Sequence, residues 1–459
     1  MTPAQGLPEQ IHAVGVGGGG LAPLAQLLAA RGHVVSGSDR NLVPSLATSD
    51  VTVHQGHHGR HLGQAQLVIR SAAVPPDNPE VAEAEARGLP VLRYSEALGV
   101  VMAERRGLAI AGTHGKTTTT ALVAHLLREA GAAPSWIVGG RPRSLPAAWG
   151  WGGDPEFVAE ACEYGLSFLD LPYRVGVVTG VTADHLDWFG DVAGVEAAFA
   201  RFVGQAPAGA RLVLAGDVPD RVRAAVPSGA TCVDVDSAVP LLELAEDERG
   251  HEGRLELGGR PYDFRLPVLG RHNVDLARLA LATCAAARPD LDAAALVAGL
   301  ARFQGVQRRL EDLGERPALA GGGSVRLIDD FAHHPEAVAA AAAALAGRFP
   351  DRRRVAIFQP HQVSRTEDFL DDFVRALSAF DRVALCDIFI ARDAHPERAP
   401  AALAALAAAL GERAQVVGPA RLAEASVRAG LLARDVCVVM GAGDVEQLAV
   451  GLAGAAARS

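Results

Sequence analysis

The sequence predicts an α/β protein built as three successive domains, each on a parallel sheet. Three observations carry this. Short apolar runs alternate with helical stretches along most of the chain, as strands do when crossover helices bury both of their faces. Two early runs end in glycine-rich turns, Gly15-Val16-Gly17-Gly18-Gly19-Gly20 and Gly112-Thr113-His114-Gly115. At 459 residues the chain has length for about three cores.

The first run, Ile11 to Val14, reads as a strand and the stretch from Leu21 to Arg31 as a helix. Gly15, Gly17 and Gly20 between them satisfy G-x-G-x-x-G. A second strand, Val34 to Gly37, ends near Asp39, at the distance of a ribose-binding acid. This reads as a Rossmann-like nucleotide site; a tight turn without a ligand is the alternative. No hydride-transfer residues accompany the glycines, so NAD is not expected. A strand from Leu67 to Ser71, a loop through Pro75 to Glu80, a helix to Arg87 and a strand from Pro90 to Leu92 continue the alternation. His57, His58 and His61 have no acidic or Cys neighbour in local sequence. They are expected as solvated loop histidines, with His57 near a ligand phosphate.

The second turn follows the apolar run Leu108 to Ala111. Lys116 and Thr117 open the next helix. Such a turn aims backbone N–H groups inward at the positive end of a helix dipole. Lys116 adds a charge for terminal phosphates, and the Thr117 hydroxyl suits Mg²⁺. Ile110 stands where the full phosphate-loop pattern has its first glycine, so the match is incomplete. Two more strands, Phe157 to Ala159 and Val175 to Thr179, lead into Glu160 and His185. Strand carboxyl ends gather ligand groups, so both are candidates to share a pocket with Lys116 and a metal ion. A surface salt bridge for Glu160 and a plain helix start for His185 are the alternatives.

Residues 216–265 are acidic, with Gly253, Gly258 and Gly259 suggesting a hairpin region. Gly270-Arg271-His272-Asn273 opens an Ala-rich helix to about Ala287. Asn273 either caps it or points its amide at a base edge. Phe303 to Glu311, with Arg308 and Arg309, reads as a linker. A third alternation starts after Gly321-Gly322-Gly323. Its strands are Val325 to Ile328, Arg354 to Phe358, Val383 to Leu385 and Val436 to Met440. They end in Asp329-Asp330-Phe331-Ala332-His333-His334, in Gln359-Pro360-His361 with Arg365 beyond, in Asp387, and in Gly441-Ala442-Gly443-Asp444. That is a third Rossmann-like unit with a ligand-facing edge.

Composition narrows the classes. Apolar residues are 49% and charged residues 21%, an ordinary globular balance. The net charge of −10 argues against a general nucleic-acid binder. The five cysteines are scattered without a Cys-x-x-Cys pair, which fits a reducing compartment. No signal-peptide pattern opens the sequence and no apolar run approaches a membrane span. A cytoplasmic protein is expected, without nucleic-acid or membrane partners and with no obligate protein partner evident.

Taken together, these motifs resemble the Mur ligase family, the ATP-dependent amide-forming ligases of peptidoglycan synthesis. The resemblance runs through Gly15-Val16-Gly17-Gly18, Ser36-Gly37-Ser38-Asp39, Asp77-Asn78-Pro79-Glu80 and Ala111-Gly112-Thr113-His114-Gly115-Lys116-Thr117-Thr118. It continues through Asp184-His185-Leu186-Asp187, Gly270-Arg271-His272-Asn273, Arg308-Arg309, Asp329-Asp330 with His333-His334-Pro335, Gln359-Pro360-His361 with Ser364-Arg365-Thr366, and Gly441-Ala442-Gly443-Asp444. It covers essentially the whole chain.

The resemblance implies a Rossmann-like domain for a UDP-sugar over 1–105, a central phosphate-loop ATPase domain over 106–312 and a Rossmann-like amino-acid domain over 313–459. It implies that L-alanine is joined to the lactyl carboxylate of UDP-N-acetylmuramate through an acyl phosphate, with ATP and Mg²⁺. Cell-wall biogenesis, cell shape and cell division would depend on that step. Gly15, Gly17, Gly18, Asp39, His57 and Ser71 would meet the UDP-sugar. Gly112, Thr113, His114, Gly115, Lys116, Thr117 and Thr118 would meet the ATP phosphates, and Asn273, Arg309 and Asp330 the rest of ATP. Thr117, Glu160 and His185 would hold metal, and His334, His361 and Arg365 the amino acid. Lys116, Glu160, His185, His334 and Arg365 would carry the catalysis.

Four departures stand out. Cys162 and Tyr164 replace the Asp and Ser of the family's Glu-Ala-Asp-Glu-Ser. Gly180 replaces an Asn, Gln362 an Arg, and Ala198 or Phe199 stands where several members carry a carbamylated lysine. With Gln362 in place, Arg392 is a candidate to compensate. A member that adds a preformed tripeptide to the same sugar, and a non-catalytic nucleotide-binding homologue, remain as alternatives.

Overall fold

The computed structural model describes residues 6–41, 43, 46–47, 49–247, 249–317, 323–390, 393 and 395–454. The first sheet contains β1 (Gln10–Val14), β2 (Val34–Asp39), β3 (Thr52–Gln55), β4 (Leu67–Arg70) and β5 (Val91–Arg93). All its pairs are parallel, in the order β3-β2-β1-β4-β5. Alternate residues of β1 and β4 face opposite sides, as the pleat demands. Ile11, Ala13, Leu67 and Ile69 join one core with Leu24, Leu27 and Leu28 of the helix Leu21–Ala30. Val14 and Val68 join another with Val81 and Ala84 of the helix Pro79–Ala86. Because β1 lies between β2 and β4, the turn after it opens at the point where the strand order reverses.

The second sheet contains β6 (Arg106–Ala111), β7 (Ser135–Ile137), β8 (Trp149–Gly150), β9 (Glu156–Glu160), β10 (Val175–Val178), β11 (Arg211–Leu214) and β12 (Thr231–Asp234). Its order is β12-β11-β10-β6-β9-β7-β8, parallel except for the β7/β8 edge. The strand β6 sits between β10 and β9, so the turn after it also opens at a reversal. Leu108 to Ala111 are all at most 1% exposed. Burying each large aliphatic side chain there contributes about 2 kcal/mol. The helix Lys116–Glu129 has four threonines, poor helix formers, directly after Lys116. It is nevertheless buried from Thr117 to Leu127, and Thr120 donates its hydroxyl to the Lys116 carbonyl. Packing outweighs propensity there.

β13 (Leu241–Asp247), β14 (Gly250–Leu257) and β15 (Arg260–Leu266) form a small sheet in sequence order. Gly258 and Gly259, both at positive φ, make the hairpin turn read from the sequence. The last sheet contains β16 (Glu311–Pro317), β17 (Ser324–Asp330), β18 (Arg354–Phe358), β19 (Arg382–Cys386), β20 (Ala414–Gly418) and β21 (Val436–Met440), in the order β16-β17-β21-β18-β19-β20.

The expected linker holds for residues 303–310, which connect elements; Glu311 onward is an edge strand, antiparallel to β17 and shifted in register between Asp312 and Gly314. Leu313 is buried, but Glu311, Asp312 and Glu315 around it hid the strand signal. Asp312 holds Arg326 on the neighbouring strand instead.

By compactness the chain divides into two units. One holds Met1–Glu243, Gly253–Arg265 and Leu276–Gln304; the other holds Leu244–Glu252, Leu266–Asp275 and Gly305–Ser459. The first two sheets therefore belong to one unit and the last sheet to the other. Among the described residues, no helix is long and apolar enough to cross a membrane.

Candidate active site

The turn after β1 is braced from within. The Ser38 carbonyl accepts the N–H groups of Gly15 (2.8 Å) and Val16 (3.0 Å). The Asp39 carboxylate accepts those of Gly17 (2.9 Å) and Asn41 (3.1 Å). Gly18 donates to the Gly15 carbonyl. Gly15, Gly17, Gly18 and Asp39 thus build the turn, a role the motif alone does not separate from ligand contact. Among the described residues, no hydrogen-bond acceptor meets the N–H of Gly19 or Gly20, which stand at the start of the helix Leu21–Ala30. Those two amides are the ones placed for an anion. Ser71 lies against the turn: a Cβ on Gly15 would come within 3.1 Å of its Cβ.

The reading of His57 and His61 is corrected. They are not solvated, with side chains 13% and 12% exposed, whereas His58 is the exposed loop residue expected and gives Glu80 only its backbone N–H. Glu80, 0% exposed, accepts from the His58 N–H and stands 3.1 Å from His57 Nδ1 and 2.8 Å from His61 Nδ1. The acidic partner was out of reach of local sequence, about twenty residues downstream.

The loop after β6 is shaped by two glycines. Gly112 (φ 139°) lies so close to Thr179 that a Cβ would fall 1.9 Å from its hydroxyl oxygen. Gly115 (φ 79°) caps the helix in the left-handed region. Thr113 ties the loop to the next strand end: its N–H donates to the Gly180 carbonyl, and its hydroxyl accepts from Thr182. His114 contributes its carbonyl to the Thr179 hydroxyl. The Lys116 ammonium bonds the Glu163 carboxylate (2.8 and 3.1 Å) and the carbonyls of Gly112 and Thr113. Burial acts to lower its pKa, but Glu163 and neighbouring groups outweigh that and hold it above the usual lysine value. Thr117 and Thr118 follow, both buried.

Glu160, at the end of β9, accepts from the Thr117 hydroxyl (3.1 Å) and the Gly139 N–H. His185 Nε2 lies 3.9 Å from Glu163 and 3.8 Å from Asp184. Thr117 thus meets Glu160, while His185 meets Glu163 and Asp184; among the described residues, no three of Glu160, Glu163, Asp184 and His185 bring donor atoms close enough together for a metal ion. A threonine hydroxyl and a carboxylate are hard oxygen donors, the kind that suit Mg²⁺. His185 is held at φ 53°, a left-handed conformation that costs a non-glycine residue of order 1 kcal/mol and marks functional loops. Tyr164 packs its ring 5.0 Å from His185 and 5.7 Å from Trp188. Cys162, between Glu160 and Glu163, is exposed to solvent. Glu163 was missed as a site residue; its place at the end of an apolar strand was the available signal.

In the other unit, Asp330 ends β17, buried. That burial pushes its carboxyl up to about 6, against the pull of Arg309. Arg308 and Arg309 stack over Phe331 at 5.1 and 4.8 Å. Asn273 sits one residue inside the helix His272–Ala287 and donates its amide to the Leu269 carbonyl (2.6 Å). His334 caps the helix Pro335–Arg348, with its ring edge-on to Phe369. His361 stacks on Phe389 and stands 3.3 Å from Arg365, which is buried. Gln362 takes φ 71°. Arg392 lies outside the described residues.

Three family models match in succession: the Mur ligase family catalytic domain over residues 10–106, the Mur ligase middle domain over 110–284 and the Mur ligase glutamate ligase domain over 308–443. A UDP-N-acetylmuramate–L-alanine ligase of Burkholderia thailandensis is 39% identical over 95% of this chain and 96% of its own. One of Ralstonia pickettii is 40% identical over 83% and 82%. Among solved structures, a UDP-N-acetylmuramate–alanine ligase of Thermotoga maritima superposes with TM-score 0.81 at 24% identity, covering 96% of this chain and 98% of its own. A murein peptide ligase of Psychrobacter arcticus gives 0.72 at 22%, covering 96% and 97%; both share the three-domain fold. The chain belongs to the Mur ligase family.

Proposed function

We propose that the protein is an ATP-dependent ligase that joins L-alanine to the lactyl carboxylate of UDP-N-acetylmuramate and releases ADP and phosphate. What carries this is a phosphate loop with Lys116 set against Glu163, in a chain whose relatives bear that activity in their names over nearly its full length. Residues 1–105 take the UDP-sugar, 106–312 the ATP and 313–459 the amino acid.

The chemistry follows from the side chains. The donor carboxylate attacks the γ-phosphate, and the bond to the ADP oxygen breaks. Lys116, which Glu163 orients, stabilises the charge that develops on the phosphate oxygens. The L-alanine amine then attacks the acyl carbon and the phosphate leaves. Mg²⁺, when bound, supplies further positive charge to the phosphates, held by Thr117, Glu160 and His185. Asn273, Arg309 and Asp330 serve the nucleoside side of ATP. Arg365 takes the alanine carboxylate with His361 and His334 beside it, since a guanidinium fork fits a carboxylate. Gln362 leaves that carboxylate one charge-assisted contact short of the family pattern. Such a reaction belongs in the cytoplasm, where ATP and nucleotide sugars are at hand.

Phosphate release from ATP and Mg²⁺ tests the reading, measured with UDP-N-acetylmuramate and a panel of acceptors. Release that requires both the sugar and L-alanine is expected. Release with the tripeptide L-alanyl-γ-D-glutamyl-meso-diaminopimelate and not with L-alanine would replace it by the tripeptide-adding alternative.

A further inference from the structure

Glu80 is assigned no part in the reaction above, yet it is 0% exposed and ringed by donors. It stands in the first turn of the helix Pro79–Ala86, where the Asn78 side chain accepts its N–H. One carboxylate oxygen takes the Ser38 hydroxyl and lies 3.1 Å from His57 Nδ1. The other takes the His58 N–H at 3.1 Å and lies 2.8 Å from His61 Nδ1. His12 approaches to 3.8 Å from β1, and His54 on β3 stacks on His61 with ring centroids 4.5 Å apart. The imidazoles converge on the carboxylate and not on a common point. Among the described residues, this collar supplies no three donor atoms close enough together for a metal ion.

We infer that Glu80 is a positioning residue for the UDP-sugar: by fixing Ser38 it fixes the turn that receives the diphosphate. The link is short. The Ser38 hydroxyl is held by Glu80, and the Ser38 carbonyl holds the Gly15 and Val16 amides. The next residue, Asp39, holds Gly17. One buried carboxylate thus ties the end of β2, the 57–61 segment and the helix Pro79–Ala86 to the shape of the turn after β1. Burial raises a carboxyl pKa, but the neighbouring His12, Ser38, His58 and His61 outweigh it here and hold Glu80 well below the usual range. A charged acceptor is what this ring of donors needs. A glutamine in its place would turn an amide N–H₂ toward N–H and O–H groups.

The inference rests on the donor assignment above, and the test separates the two. Full-length wild type, Glu80→Gln and Ser38→Ala are titrated with UDP-N-acetylmuramate, and their steady-state constants are measured. Ser38→Ala, which cuts only the link between collar and turn, is expected to weaken sugar binding about tenfold. Glu80→Gln is expected to weaken it more. Both should keep kcat and the KM for ATP within about twofold of wild type, which also reports an intact fold. Unchanged sugar affinity in Ser38→Ala overturns the inference alone. So does a fall in kcat with an equal rise in the ATP KM. No binding of the sugar by wild type overturns the donor assignment and the inference with it.

Discussion

The two glycine-rich turns of the first unit look alike in sequence and differ in what surrounds their backbones. Each follows a buried parallel strand at a reversal of strand order and opens a helix. The turn after β1 is braced by Ser38 and Asp39 through its first three amides, and it carries no cation of its own. The loop after β6 carries Lys116, with Glu160 and Glu163 at its back. A lysine held against a carboxylate is charge kept ready for a reaction. On the function proposed above, the first turn holds a substrate and the loop after β6 serves phosphoryl transfer, and what separates them is the lysine and its carboxylate, not the glycines.

The largest effect should come from removing that charge. Lys116→Ala is expected to lower kcat by about 10³-fold or more, equivalent to roughly 4 kcal/mol, while sugar affinity stays unchanged. Comparable loss of sugar binding in a titration would mean that the two turns do not divide the work.

Next comes backbone strain. Gly112→Ala forces a Cβ into Thr179 at a φ that L-residues avoid, and should cost about 2–4 kcal/mol of stability with loss of ATP binding. Gly18→Ala in the other turn meets nothing nearer than 3.5 Å and should cost under about 1 kcal/mol. Thermal unfolding of the two variants checks the contrast. Equal losses would break it.

Charge kept at a strand end recurs at Asp330 in a different form. Its folded pKa lies near 6, above the unfolded carboxylate value. The native state therefore binds more protons than the unfolded state between roughly pH 4 and 6, and stability falls as pH rises through that window. Relative to wild type, Asp330→Asn should gain on the order of 2–3 kcal/mol at pH 7 and little at pH 4. Urea denaturation of both proteins across that range measures it. A difference independent of pH would show that burial does not set this acid's state.

The smallest effect concerns the acceptor. Arg365→Ala should raise the KM for L-alanine about tenfold, near 1.4 kcal/mol, with the KM values for ATP and sugar steady. A rise for ATP or the sugar, with alanine unchanged, would move the carboxylate anchor elsewhere.

Much of this was legible in the sequence, and the limits are physical. Strands such as Gln10–Val14, Arg354–Phe358 and Val436–Met440 were readable because burial on both faces makes them mostly apolar. The edge strand Glu311–Pro317 was not, because an edge leaves most of its residues polar. Lys116 was a candidate from the turn that opens its helix, and Glu160 and His185 from the strands that lead into them. Glu163 beside Lys116, and Glu80 among the histidines, are pairings across tens of residues that only the fold creates. The turn after β1 was legible as a turn, but not which of its amides the protein itself takes up.

Phosphoryl transfer to the donor carboxylate has one direct test. UDP-N-acetylmuramate labelled with ¹⁸O in the lactyl carboxylate is turned over with ATP and L-alanine, and the released phosphate is analysed by mass. If the carboxylate is phosphorylated and the amine then displaces phosphate, one labelled oxygen appears in each phosphate released with product. Phosphate free of label, with amide still formed, would contradict phosphoryl transfer to the donor carboxylate.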